Sequence, residues 1–242
     1  AQNLAADRIR TVGSTHYRDR LGLEQFVQVV FFHLKYCLDG VEYISAWMCA
    51  AAAMLHCTTL GGNCYRKLRG KMAIGYISHS DCALHDMGHH HPEQPARLSA
   101  INDRLIATGL DMVLHHHDAP LASREQLDAV HNVGYVDEIY AQAPETGIAW
   151  VDGDTAMNPH SLTAALRAAG AVALGVDLVM AGKVKQVFCA VRPPGHHAER
   201  HRAMGFCLFN NIAIGAMHAI NRYALARVAI VDFDVHHGNG TE

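Results

Sequence analysis

The sequence is short of the features that mark several large classes of protein. Charged residues make up only 18% of its 242 positions, and 20 Lys and Arg against 23 Asp and Glu leave a net charge of −3. Without a basic surplus there is no electrostatic footprint for nucleic acid. Aromatic residues are few, at 7%, and the seven cysteines are odd in number with no CxxC pair. They read as reduced thiols of a cytoplasmic protein, not as a disulfide framework. The uninterrupted apolar run from Ile44 to Leu55 is too short to span a bilayer, and the stretch around it, 25–57, lacks the flanks of a signal peptide. No membrane association is expected, and no internal repeat or low-complexity tract is present.

Histidine, by contrast, is abundant. There are 19, many of them in clusters: His89-His90-His91, His115-His116-His117, His196-His197 and His236-His237. Imidazole is the commonest metal ligand and the usual acid or base near neutral pH, so the enrichment points towards metal or proton-transfer chemistry.

With half of its residues apolar, the chain is long enough for one α/β domain and a small appendage. Two regions differ in character. Residues 1–71 hold the apolar stretch 25–57, which reads as one or two buried or partner-facing helices. Arg66, Lys67, Arg69 and Lys71 then lead into Met72, which has the look of a true start, so residues 1–71 are expected to be a helical or non-native extension. The chain begins with Ala1 and stops at Glu242 inside a motif, and reads as a fragment.

From Met72 onwards strands and helices alternate. Strands are expected over 73–78, 184–191 and 227–233. Helices are expected over 95–105, 124–130, 136–141, 161–181 (capped by Ser161 and closed by Gly182) and 209–223. Met112-Val113-Leu114 reads as a further strand end, with His115–His117 in the loop beyond it. Such alternation predicts a three-layer α/β fold, a parallel sheet with helices on both faces.

Two segments carry the chemistry. The strand over 184–191 runs into Pro193-Pro194-Gly195-His196-His197, and the strand over 227–233 runs into Asp234-Val235-His236-His237-Gly238. Ligand sites in open parallel sheets form beyond the carboxyl ends of the strands, and a right-handed crossover brings both ends to one edge. In extended chain Asp232, Asp234 and His236 share a side. Two carboxylates and an imidazole there are costly unless a divalent cation neutralises them. A catalytic zinc takes three protein ligands and keeps a position for water. The adjacent imidazoles on a rigid Pro-Pro-Gly turn suit water activation and leaving-group protonation.

These residues form a known set. Arg192-Pro193-Pro194-Gly195-His196-His197-Ala198, Gly205-Phe206-Cys207-Leu208-Phe209-Asn210-Asn211 and Val231-Asp232-Phe233-Asp234-Val235-His236-His237-Gly238-Asn239-Gly240-Thr241 closely resemble the histone deacetylase superfamily. That superfamily includes bacterial histone-deacetylase-like amidohydrolases, acetylpolyamine amidohydrolases and acetoin-utilisation proteins. Asn239 gives the sequence a class II flavour. His91-Pro92-Glu93 with Arg97, His131 with Tyr135 and Val136, and 152–155 add support. The resemblance covers 72–242, the N-terminal part of an arginase/deacetylase-like domain that it implies is truncated at its C-terminus.

The resemblance implies that Asp234 and His236 are two of three ligands to one catalytic zinc, and that Asp232 orients His196 beside a structural potassium site. It implies that His196 and His197 act as general base and acid, with Asn239 beside them. Gly205 and Phe206 resemble the wall of an acyl-lysine tunnel, Asp154 the rim carboxylate that holds substrate, and His89–His91 part of the pocket mouth. The implied substrate is an acetyl-lysine peptide or an acetylpolyamine. The family's third ligand, an aspartate, and its oxyanion-stabilising Tyr or His fall downstream of the HHG motif, so the chain as written is expected to be inactive and its last strand to form an exposed apolar edge. A catalytically dead acyl-binding module and an arginase-like two-metal hydrolase are the competing readings. Oligomeric state is not legible.

Overall fold

A computed structural model of the chain describes residues 73–242 together with two strand segments, β1 (Ile9–Gly13) and β2 (Val29–Val30). The remaining expectations for residues 1–71 lie outside the described residues. Val29–Val30, assigned from sequence to an apolar helix, is extended, as two successive β-branched side chains favour.

The strands that follow are β3 (Ile74–Ser78), β4 (Leu114–Asp118), β5 (Ala149–Trp150), β6 (Ala156–Met157), β7 (Gln186–Cys189) and β8 (Val228–Asp232). The helices are α1 (Asp81–Leu84), α2 (Ala96–Ala107), α3 (Arg124–Asp128), α4 (Val133–Gln142), α5 (Ser161–Met180) and α6 (Asn211–Tyr223). The main sheet is parallel with order β2-β7-β3-β4, and β8 pairs in parallel with β1. In the central pair Gly75 lies opposite Val187 and Ile77 opposite Cys189.

Alternation along these strands sends side chains into two layers. Ile77, Val187 and Cys189 join Ala171 and Leu178 of α5 on one face. Tyr76 and Phe188 join Leu98, Ile101 and Leu105 of α2 on the other. A third cluster, built from Leu127, Tyr135, Val136, Ile139, Leu208, Phe209 and Ile214, anchors the loop that leads into α6. Helix α5 is apolar enough in composition to cross a membrane, but it serves here as the buried core helix against β3, β7 and α6. Its contact with α6 depends on Gly215, where a Cβ would stand 2.1 Å from Val172 Cγ1. The three-layer α/β fold expected from sequence is present.

Three local expectations are corrected. The histidines His115–His117 are not in a loop; they are the strand β4, paired residue for residue from Ile74↔Leu114 to Ser78↔Asp118. Gly109, at φ +72, turns the chain so that Leu110–Val113 winds into a 3-10 turn and the strand starts later. Ser161 is the first residue of α5, with His160 at the cap and no side-chain capping bond. The Ser161 hydroxyl is instead taken up by Asn158 and His85. The C-terminus follows expectation: Gly182 at φ +67 closes α5, Gly182 N–H donating to Val179 O and Lys183 N–H to Leu178 O. Finally, the last strand is partnered by β1, yet Val231, Phe233 and Val235 do stand exposed at and beyond its end.

Candidate active site

The carboxyl ends of β7 and β8 deliver the two motifs to one place. His196 Nδ1 lies 2.8 Å from Asp232 Oδ2, and His197 Nδ1 lies 2.7 Å from Asn239 Oδ1. The two imidazoles lie with centroids 4.0 Å apart, tilted 46° to each other, and are 7% and 8% exposed. Each ring therefore takes its orientation from the opposite motif, an arrangement that fixes direction as well as position. Burial alone would raise the Asp232 carboxyl. The His196 hydrogen bond and the Asp234 N–H outweigh it and hold Asp232 below the usual carboxylate range.

Asp234 and His236 complete the β8 end. The Asp234 side chain is 4% exposed, its Oδ1 lies 3.0 Å from His236 Nδ1, and it accepts the His236 backbone N–H at 2.8 Å. The His236 ring stands edge-on to His197, with centroids 6.2 Å apart. A carboxylate oxygen and an imidazole nitrogen at this spacing fit two donors on a tetrahedral zinc, which sit roughly 3.3 Å apart at ordinary bond lengths. The chemistry of the pair thus suits zinc. Among the described residues no third His, Cys, Asp or Glu joins them.

The two motifs interlock through backbone. Gly240 N–H donates to His196 O, and a Cβ on Gly240 would stand 2.3 Å from Ala198 O. Asn210 Nδ2 donates both to Ala198 O and to Thr241 Oγ1. Asn210 N–H in turn donates to His131 Nε2, while His131 Nδ1 meets Glu199 O at 2.9 Å. His131 is buried between Tyr135 and Phe209, and burial pushes its pKa down to about 4.

The wall of the site is equally constrained. Gly205 N–H donates to Asp154 Oδ1 and Phe206 N–H to Thr155 Oγ1. Both residues have positive φ, +57 and +72. For a bulky aromatic that conformation persists only under firm support, and the Phe206 ring is held edge-on to His91 at 4.6 Å. Asp154 is exposed and, through these bonds, positions Gly205. A Cβ at Gly205 would stand 2.3 Å from His197 Cδ2. Gly205→Ala is therefore expected to cost about 2–4 kcal/mol, from left-handed strain and overpacking together, read as a lowered urea midpoint.

A cavity of about 90 Å³ lies between β7 and β8, bounded by Arg97, Phe188, Ile212, Ile230 and Asp234. Behind it is a feature that sequence reading missed. Arg192, 1% exposed, donates from Nε and Nη2 to the two carboxylate oxygens of Glu93 at 2.6 and 2.5 Å, and from Nη1 to Cys82 O. Arg97 adds a bond to Glu93 at 3.2 Å. The Glu93–Arg97 spacing, i to i+4, was legible; the partner 99 positions away was not. Glu199 was also missed, although it follows the imidazole pair by two residues. It accepts from Asn239 Nδ2 at 2.7 Å.

His196, His197, Asp232, Asp234, His236 and Asn239 thus converge, with Asp154, Gly205 and Phe206 forming the adjoining wall, while His237 turns outward to Glu242. Imidazoles paired with acceptors beside an Asp-x-His donor pair, at the carboxyl edge of a parallel sheet, make a site equipped for proton transfer beside a metal-ligating pair on an α/β fold. The sequence of residues 91–242 matches the histone deacetylase domain family, and the chain belongs to that family. It is 41% identical over 173 residues to an uncharacterized protein of Synechocystis, covering 70% of this chain and 56% of that protein. It is 39% identical to human polyamine deacetylase HDAC10, over 62% of this chain and 23% of that protein. It is 38% identical to a histone deacetylase-like amidohydrolase of Pseudomonas aeruginosa, over 63% and 40%. The crystal structure of the HDA15 HD domain superposes with a TM-score of 0.67 at 36% identity, over 70% of this chain and 49% of that one. The chain spans about half, or less, of the length of these relatives.

Proposed function

We propose that residues 72–242 form the N-terminal part of a zinc-dependent deacetylase domain, acting in the cytoplasm on acetyl-lysine or on an acetylated polyamine or other small amine. The observation that carries this reading is the cross-bracing of the two motifs: His196 to Asp232 and His197 to Asn239, with Asp234 and His236 alongside. Asp234 and His236 would hold the zinc, which when bound polarises an acyl carbonyl and makes its water more acidic. His196, braced by the Asp232 carboxylate, takes the proton from water, and His197 returns one to the leaving amine. Gly205 and Phe206 flank the acyl chain, and Asp154 holds both that wall and the incoming substrate at the rim. The products are acetate and a free amine. Relatives named for polyamines and for histone-type substrates support both substrate classes. Asp232 is committed to His196, which argues against a two-metal centre needing further carboxylates.

The two donors among the described residues also favour a second reading for this polypeptide by itself, that of an acyl-ligand-binding fragment. The test is turnover of a fluorogenic acetyl-lysine peptide and of an acetylated diamine by purified 1–242, with and without zinc. No turnover is expected, since loss of an oxyanion donor alone lowers rates by about 10²–10³ and only Asp234 and His236, among the described residues, would hold the zinc. A longer chain that adds the downstream aspartate and Tyr or His should turn over both or one. Zinc-dependent turnover by 1–242 itself would overturn the assignment of the missing groups.

A further inference from the structure

Two of the hydrogen bonds at the site leave one proton unambiguous. A carboxylate accepts only, so the Asn239 group facing Glu199 Oε1 at 2.7 Å is the NH₂. The Asn239 oxygen then faces His197 Nδ1 at 2.7 Å, and a carbonyl oxygen also accepts only. His197 must therefore carry its proton on Nδ1, with Nε2 as the basic nitrogen. Were the amide reversed, its NH₂ would meet His197 and impose the opposite tautomer. His197 itself cannot choose, because either ring form can bond to one end or the other of an amide.

We propose that Glu199 is a positioning residue, whose carboxylate sets the flip of the Asn239 amide and through it the Nδ1–H tautomer of His197. Its own placement is secured independently. Glu199 N–H donates to Arg202 O, and Glu199 O accepts from His131 Nδ1, whose Nε2 is engaged by the Asn210 N–H. The same acceptor-only logic thus protonates His131 at Nδ1. His196 needs no such helper, since Asp232 offers two acceptor oxygens. An asparagine in place of a carboxylate brings an orientational ambiguity, and Glu199 removes it. Sulfur adds to the arrangement: Met204 Sδ, a weak acceptor, lies 3.4 Å from the same Asn239 Nδ2.

That this tautomer matters for turnover rests on the deacetylase reading; that Glu199 sets it does not. The experiment is ¹⁵N-histidine NMR of the 1–242 chain at pH 8.5, where ordinary imidazoles are neutral, with the His197 signals assigned by their loss in His197→Gln. The wild type should show one tautomer, Nδ1–H. Glu199→Gln keeps the shape but lets both amides flip together, and should populate the Nε2–H form to a readily detected fraction. Glu199→Leu, which leaves only the weak Met204 acceptor, should likewise populate the Nε2–H form. In Asn239→Asp combined with Glu199→Leu, a carboxylate at 239 needs no orienting, and Nδ1–H should return. A single Nδ1–H tautomer in both Glu199 variants overturns the proposal, as does failure of Asn239→Asp to restore it. If Glu199→Leu does not fold, the isosteric Glu199→Gln decides alone. In a longer, active chain a shifted tautomer with unchanged turnover would count against the role of His197 while leaving that of Glu199 standing.

Discussion

Replacing Glu93 with alanine is expected to destabilise the protein by about 3–5 kcal/mol, as removing one partner of a buried ion pair does. The Glu93 and Arg192 side chains are each 1% exposed, and the guanidinium has two of its bonds to this carboxylate. After the substitution Arg192 retains, among the described residues, its bond to Cys82 O and stays buried without the Glu93 carboxylate to balance its charge. Against a total stability of roughly 5–15 kcal/mol, that is a large fraction. Urea denaturation of the wild type and variant checks it. Replacing Glu93 and Arg192 together by methionine should recover much of the loss, because the penalty lies in the orphaned charge and not in the missing attraction. A double variant no more stable than Glu93→Ala would show that the pair contributes shape and direction to the turn at 192–195 that apolar side chains cannot supply.

Acidification should weaken the fold well above the pH at which carboxylates titrate. His85 and His131 are almost fully buried, and burial drives the pKa of each down to about 4 from 6.5, with the Glu93 charge opposing the change at His85 and the Glu199 backbone oxygen opposing it at His131. In the unfolded chain both rings take up a proton near pH 6.5, whereas in the folded chain they do so only near 4. The unfolded state therefore binds more protons throughout that window, and stability is complete above about pH 6.5 and declines as pH falls towards 4. With a limiting slope of about 1.36 kcal/mol per pH unit, reached once the unfolded ring is fully protonated, each ring contributes about 1.6 kcal/mol of loss between pH 6.5 and 5, about 3 kcal/mol for the two. Below that, Glu93 adds to the trend, since its carboxyl is held below the usual range by Arg192 against the opposing effect of burial. Urea midpoints measured from pH 8 to 5 read the slope directly. His131→Gln, lacking a titratable ring, should roughly halve it; an undiminished slope would assign the acid sensitivity elsewhere.

The parts of this structure that could be read from sequence are those set by local pattern. The run 184–191 is mostly apolar with three valines, and its centre, 186–189, is a strand; 161–180 is alanine-rich with a glycine two residues past its end, and it is a helix. The site was legible for a similar reason: Asp232, Asp234, His196, His197, His236 and Asn239 stand at strand ends, in dense polar strings with few other uses. What escaped was decided by partners distant in sequence. His115-His116-His117 contains no apolar residue to announce a strand, yet an edge strand needs only backbone pairing, which Ile74–Ser78 supplies. Ser161 has the chemistry of a helix cap, but His85, 76 residues earlier, and Asn158 claim its hydroxyl. Arg192 was recognised as part of a motif with no hint that Glu93 neutralises it. Glu199 was passed over because its role is exercised through an amide 40 positions later.

The glycine at 240 has a further consequence. Its amide grips the carbonyl of the first imidazole, its bare α-carbon lies against the next turn, and Asn210 stitches both loops to the start of α6. The paired histidines and the acidic strand end are thereby tied into one block by backbone and side-chain bonds. A redesign that lengthens one loop alone will strain the other, whereas the Asp154–Phe206 wall touches this block without being threaded through it and is the freer place to change.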